Sequence, residues 1–203
     1  FEHLIGQESI VAALKNALRE SRIAQAYVFS GIRGVGKTTA ARVLAKALNC
    51  ETGVGSRPCG RCSACVGVDQ GRFPDYVEMD AASHTGIDDI RDLIDSAHYK
   101  PNTARYKVYI IDEVHMLSKQ AFNGLLKTLE EPPEHVKFIF ATTEARKVPV
   151  TVLSRCQRFD LRRITPDMLF AHFSAILQKE GVEAEAPAIW LISNAPPPNP
   201  ATA

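Results

Sequence analysis

The segment Gly31-Ile32-Arg33-Gly34-Val35-Gly36-Lys37-Thr38 carries the most specific chemistry in the chain. Its spacing, Gly-x4-Gly-Lys-Thr, lets a glycine-rich backbone wrap a polyphosphate and turn its N–H groups inward. Lys37 then reaches the β- and γ-phosphates, the Thr38 hydroxyl ligates Mg2+, and the helix that follows offers its positive end. A nucleotide polyphosphate is the expected ligand of Gly31, Gly34, Val35, Gly36, Lys37, Thr38 and Thr39. Downstream, an apolar run ends in Asp112-Glu113. Asp112 can hold the metal's water shell and Glu113 can polarise an attacking water, so the pair favours hydrolysis over transfer to a substrate. Thr142 and Thr143 close the next apolar run. A hydroxyl there either sits between the γ-phosphate and Glu113 or belongs to an ordinary β-former. In Ser154-Arg155-Cys156, the planar guanidinium suits phosphate oxygens, and it equally suits a solvated surface.

A second chemistry lies in Cys50-x8-Cys59-x2-Cys62-x2-Cys65, four soft ligands within sixteen residues, with glycines and a proline between them. Four thiolates fit a structural Zn2+ with no open position. An iron–sulfur cluster is the rival, since C-x2-C-x2-C opens a ferredoxin-type run, but Asp69 stands where its fourth cysteine belongs. Reduced or redox-active thiols are the third reading. Cys156 is separate and reads as a packed thiol. The six histidines show no metal-ligand spacing and read as solvated or packed.

These groups need a scaffold, and the chain has one. With 203 residues, 45% of them hydrophobic, it can bury a sizeable core. No apolar run is long enough to span a membrane and the N-terminus is not a signal peptide, so a cytoplasmic location is the expectation. The net charge of +1 conceals blocks. Residues 1–72 carry +5, 73–99 carry −6, 100–163 carry +5 and 164–203 carry −3, a pattern that fits a polyanion, a partner subunit or plain solvated faces. Lys100, Arg105, Lys107, Lys119 and Lys127 lack interleaved aromatics, so base stacking is not indicated.

Buried strands are predicted at 26–30 and 136–143, with further strands at 76–80, 107–112 and, more briefly, 157–161. Ile10, Leu14, Ala17 and Leu18 share a helical face, as do Ala40, Val43, Leu44 and Ala47 after the phosphate loop. Ile87, Ile90 and Ile94 mark a further helix. Another begins after Ser118, buries Phe122, Leu125, Leu126 and Leu129, and stops at Pro132-Pro133. Residues 50–72 have no periodicity and read as an inserted loop module. Thr165-Pro166 opens a helix with Leu169, Phe173, Ile176 and Leu177 inward, and 186–195 forms a second. The closing APPPNPATA reads as a disordered tail. The fold class expected is α/β, a parallel sheet covered by helices. Domain bounds follow as a nucleotide-binding core over 1–163 with the cysteine module at about 50–72, a helical lid begun over 164–195, and a tail over 196–203.

FEHLIGQESIVAAL, GIRGVGKTT, the four-cysteine insert, VEMDAASHTGIDDIRDLID and YIIDEVHMLSKQAFNGLLKTLEEPPEHVKFIFATTEARKVPVTVLSRCQRF together resemble the ATPase core of the gamma/tau clamp-loader family of AAA+ P-loop NTPases. The resemblance runs from residue 1 to about 195. It implies an ATPase serving the DNA polymerase III holoenzyme in DNA replication. Such an ATPase is joined with other clamp-loader subunits in a heteropentamer that opens the sliding clamp and places it on primer–template DNA. Contact with the replicative polymerase would come through parts outside this chain.

By the same resemblance Lys37 and Thr38 bind phosphate and Mg2+, and Asp112 and Glu113 serve metal and water. Thr142 or Thr143 is the first sensor, and Arg155 acts on a neighbour's nucleotide. Ile5, Gly6 and Gln7 flank the adenine, Cys50, Cys59, Cys62 and Cys65 are zinc ligands, and His84 and Lys127 lie toward DNA. Two rivals stand beside this reading. One is a non-hydrolysing AAA+ interaction subunit, against which Lys37, Asp112 and Glu113 argue. The other is a helicase fragment, since Asp112-Glu113-Val114-His115 reads as a DExH box. The chain opens on Phe rather than Met and departs from the family after its second lid helix, so a fragment with a truncated lid is expected.

Overall fold

Short runs of β-branched and aromatic residues build the sheet, and their order in space gathers the chemistry. The structure, a computed structural model, describes residues 4–83 and 87–194. Strands β1 (Ala26–Ser30), β2 (Tyr76–Asp80), β3 (Lys107–Asp112), β4 (Val136–Thr142) and β5 (Gln157–Asp160) form one sheet in the order β2-β3-β4-β1-β5. Every pairing is parallel. All C-terminal strand ends therefore lie on one edge, where Ser30 pairs with Thr142 and Asp80 with Asp112. From β1 the chain crosses β4 and β3 to reach β2, which makes the end of β1 the switch point where such sheets bind ligands.

The pleat sorts each strand onto two cores. Tyr27, Phe29, Val108, Ile110 and Ile139 face the helices α1 (Glu8–Arg19) and α2 (Lys37–Asn49). Val28, Tyr109, Ile111, Phe138 and Phe140 face α4 (Ile87–Ala97) and α5 (Lys119–Glu130). Both faces are covered, as a parallel sheet requires. Ser118 caps α5 by accepting the Ala121 N–H at 3.2 Å.

Two expectations need amendment. The cysteine insert is not all loop, for it contains helix α3 (Ser63–Asp69) between α2 and β2. The Cys62 sulfur caps that helix by accepting the Cys65 N–H, and Ala64, Cys65 and Val68 are buried. Seven residues are too few for periodicity to show. After the sheet, helices α7 (Pro166–Glu180) and α8 (Ala186–Asn194) pack on each other, with Phe170 stacked on Trp190 at 4.8 Å. Leu169, Phe173 and Leu177 are half-buried there, but Ile176 is exposed. One helical neighbour covers one stripe of α7 and leaves Ile176 beside it in solvent. Between β4 and β5 the chain adds a one-turn helix α6 (Val150–Leu153) that the sequence did not announce. The residues read as a tail, 196–203, lie outside the described residues.

Candidate functional site

The loop after β1 needs backbone that side chains resist. Gly36, at the cap of α2, has φ +96°, and Gly31 has φ +148° with room for no Cβ, since one would lie 2.8 Å from the Leu161 carbonyl oxygen. The loop turns back on itself, and the buried Lys37 ammonium donates to the carbonyls of Gly31 (2.9 Å) and Ile32 (3.0 Å). Burial holds Lys37 below the ordinary lysine range, against the opposing fields of Glu113 and Asp112. A polyphosphate beside it would relieve that penalty.

Across the cavity, the Thr38 hydroxyl donates to Asp112 Oδ2 at 2.6 Å, joining residues 74 positions apart. An oxygen pair at that distance suits a hard divalent cation, because both are the ligand type Mg2+ takes beside phosphate. Glu113 follows in a left-handed conformation, φ +46°, that non-glycine residues adopt at a cost of about 1 kcal/mol. Its own N–H donates to Asp112 Oδ1 at 2.8 Å. Thr143 then donates twice to Glu113 Oε2, from its N–H at 3.1 Å and its hydroxyl at 2.9 Å. A cavity of about 720 Å3 brings together Arg33, Gly34, Gly36, Lys37, Thr38, Thr39, Asp112, Glu113 and Thr143, with Glu78, Met79 and Asp80 of β2. A second cavity, about 740 Å3, runs from Ile32–Val35 to Arg163, Thr165, Pro166 and Leu169 at the start of the lid.

The two threonines part company. Thr142 is fully buried and its hydroxyl accepts the Glu144 N–H at 3.0 Å, with His115 Nδ1 at 2.9 Å. Only Thr143 lines the cavity. Near the lid, Gln7 is buried and spends its amide on the Arg162 backbone, donating to the carbonyl at 2.8 Å and accepting the N–H at 3.0 Å. Gly6 packs against Met168, so the Ile5-Gly6-Gln7 turn braces the junction where the core passes into α7.

Beyond the C-terminal end of α2, the four sulfurs of Cys50, Cys59, Cys62 and Cys65 lie within 4.8 Å of one another. A tetrahedral zinc with bonds of about 2.3 Å asks for sulfur separations of about 3.8 Å, and Cys50 and Cys62 stand at 4.0 Å. Backbone N–H groups of Cys59, Cys62 and Cys65 donate to the sulfurs of Cys50, Cys59 and Cys62 at 3.2, 3.3 and 3.4 Å. Burial pushes the Cys50 thiol up, yet the Cys59 and Thr52 hydrogen bonds outweigh it and bring it down to about 6, whereas burial sends Cys65 up to about 12. Four such thiols ionise together only around a cation, so the residues fit a divalent metal. The cluster is tied to the segment leading into β3. The Arg105 guanidinium donates to the Cys50 carbonyl at 2.6 Å, and the Asn49 amide pairs with both backbone groups of Tyr106 at 2.9 and 3.0 Å.

Residues 6–165 match the family described as DNA polymerase III, delta subunit. The chain belongs to that family. It is 53% identical over 195 residues to DNA polymerase III subunit tau of Escherichia coli strain K12, covering 96% of this chain and 30% of that one. It is 52% identical over 193 residues to DNA polymerase III subunit gamma of Buchnera aphidicola subsp. Baizongia pistaciae, covering 95% of this chain and 52% of that one. The chain thus spans roughly a third to a half of these relatives. Among solved structures, the Thermotoga maritima RuvB Holliday junction branch migration motor superposes with a TM-score of 0.66 at 18% identity, covering 95% of this chain and 57% of that one. That likeness concerns the fold, the expected α/β architecture of a parallel sheet covered by helices.

Other residues singled out in the sequence stand away from the cavity. Arg155, just past α6, donates to Glu130 Oε1 and to the Thr151 carbonyl, each at 2.6 Å. It does not line the cavity beside Lys37 and Asp112. Lys127 is exposed on α5, and His84 lies outside the described residues. Cys156 is a packed thiol that donates to the Val152 carbonyl, and burial pushes it up to about 12. The residue that sequence reasoning passed over is His115, read there as packed or solvated. It is packed, with a side chain 6% exposed, but its ring nitrogens face Thr142, Glu113 and Glu144. Its place two residues beyond Glu113 was the available signal. No described helix is long and apolar enough to cross a membrane.

Proposed function

We propose that this chain is the ATP-binding and hydrolysing motor portion of a replicative clamp loader. The observation that carries the reading is the 2.6 Å bond between Thr38 and Asp112. It puts two magnesium-type ligands together beside Lys37, with Glu113 and Thr143 lining the same cavity. Roughly half identity to subunits named tau and gamma, over nearly the whole chain, supports the assembly context.

In this reading the glycine-loop amides and Lys37 bind the polyphosphate of ATP. Thr38 and Asp112 hold Mg2+, which when bound neutralises phosphate charge. Glu113 orients and polarises the attacking water, and Thr143 holds the Glu113 carboxylate while facing the terminal phosphate. Ile5, Gly6 and Gln7, with the lid, enclose the base end of the nucleotide. Arg155, which does not line its own chain's cavity, serves a neighbouring subunit's nucleotide. Cys50, Cys59, Cys62 and Cys65 hold a structural Zn2+. The partners are the other loader subunits, the sliding clamp and primed DNA in the cytoplasm, with Lys127 and His84 toward the DNA. Lys37, Asp112 and Glu113 are all present and convergent, which favours this over a non-hydrolysing interaction subunit. The named relatives favour it over a helicase.

The test pairs two variants. Lys37→Ala is expected to abolish ATP binding, and Glu113→Gln to keep binding while turnover falls by at least about a hundredfold. Wild-type turnover in Glu113→Gln would remove Glu113 from the mechanism. Stimulation of the ATPase by partner subunits, clamp and primed DNA tests the loader assignment.

A further inference from the structure

We propose that His115 is a positioning residue for hydrolysis, a lateral brace that sets the Glu113 carboxylate against the end of β4. The inference rests on the ATP-hydrolysis reading above. His115 lies on the single 3-10 turn Val114–Met116 that follows Glu113 directly. Its Nδ1 is 2.9 Å from Thr142 Oγ1 and 3.4 Å from Glu113 Oε2, and its Nε2 is 3.5 Å from Glu144 Oε1. Both ring nitrogens therefore face polar groups, although the side chain is almost wholly buried.

The contacts link the ends of two strands. Thr143 grips Glu113 Oε2 from the cavity side, through its N–H and its hydroxyl. His115 Nδ1 comes within 3.4 Å of the same oxygen and is held at 2.9 Å by the hydroxyl of Thr142, the residue just before Thr143. Thr142 is locked in turn by the Glu144 N–H at 3.0 Å. The Glu113 carboxylate thus has contacts on both sides, and all of them lead to the three consecutive residues Thr142–Glu144. His115 is not among the residues lining the cavity, so it acts through Glu113 and not on the nucleotide. Its loss should cost rate and leave ATP affinity alone, because Lys37, Thr38 and Asp112 are untouched.

Two amide substitutions separate the ring nitrogens. His115→Asn places an amide where Nδ1 stands, whereas His115→Gln places it near Nε2 and leaves Glu113 unbraced. His115→Leu fills the space with no polar atom. The assay uses the full-length subunit assembled with its partner subunits and measures kcat, ATP Kd and the unfolding midpoint. His115→Asn should stay within about threefold of wild-type kcat, and His115→Gln and His115→Leu should fall about ten- to thirtyfold, all with Kd within about twofold. Equal kcat for Asn and Gln variants of equal stability would overturn the proposal, as would a loss confined to Kd. If the Leu variant fails to fold, the Asn–Gln pair still decides. Glu113→Gln in the same assay distinguishes the failures. Wild-type turnover by that variant removes Glu113 from the mechanism on which the proposal rests, whereas an inactive Glu113→Gln beside a fully active His115→Gln sinks only the role of His115.

Discussion

Thr143 donates both its backbone N–H and its hydroxyl to one oxygen of Glu113, at 3.1 and 2.9 Å. The end of β4 thereby fixes the orientation of an acid at the end of β3. Thr143→Val keeps the shape and the backbone bond but removes the hydroxyl. Turnover should drop about tenfold, with KM for ATP within about twofold, because the lost bond orients the carboxylate and does not bind phosphate. Steady-state kinetics on the assembled protein check this, and a rise in KM alone contradicts it.

Arg155 pairs with Glu130 at 2.6 Å and stays outside its own phosphate cavity. Arg155→Ala should leave ATP binding by the single chain unchanged and reduce turnover of the assembly by about a thousandfold. Mixed assemblies provide the check. A Lys37→Ala subunit still carries Arg155, so it should restore hydrolysis at the site of an Arg155→Ala neighbour. No recovery in any mixture would place the arginine's action within its own chain.

The sulfur cluster should hold about one zinc per chain, which elemental analysis can count. Cys65→Ser, changing a fully buried ligand, should lose that metal. Since Asn49 and Arg105 bind the cluster's backbone to the segment leading into β3, the loss should destabilise more than the insert. A penalty of about 2 kcal/mol would lower the unfolding midpoint by about 5 °C. Iron with visible absorbance in place of zinc would overturn the metal assignment.

Lys137 gives a pH signature. It is buried near the start of β4, donates to Gln25 Oε1 at 2.5 Å, and lies 4.9 Å from the centre of the Tyr106 ring. Burial lowers its ammonium to about 8. An unfolded lysine keeps its proton to about pH 10.4, so between these values the unfolded chain binds more protons and stability rises with pH. Below about pH 8 the charged folded form carries the full burial penalty. Thermal unfolding of wild type against Lys137→Met should therefore show a gap that moves in favour of the wild type from pH 7.5 to 10. A gap independent of pH would contradict the assignment.

Much of this was legible in the chain because it is local. Glycine spacing dictates the phosphate loop, since only glycine supplies the positive φ at Gly36 and the close approach at Gly31. Apolar runs with flanking polar residues located the five strands closely, with β4 and β5 each one residue shorter than expected. The cysteine spacing anticipated a cluster that the fold closes to within 4.8 Å. Helix α3 escaped because a seven-residue helix capped by a thiol leaves no periodic trace. Ile176 was misplaced because helical periodicity gives a face without saying how wide its partner is.

What only the tertiary structure decided concerns pairs far apart in the chain. Sequence offered Thr142 and Thr143 as equals. The sheet separates them, because β4 ends at Thr142, which is buried with His115, and Thr143 leaves the strand into the cavity. Gln7 and Arg162 meet across 155 residues, and Thr38 and Asp112 across 74. Such meetings depend on strand order and parallel register, which are global properties of the packed sheet. The residue types specify which groups can do the chemistry, and the alignment of strand ends specifies which of them touch.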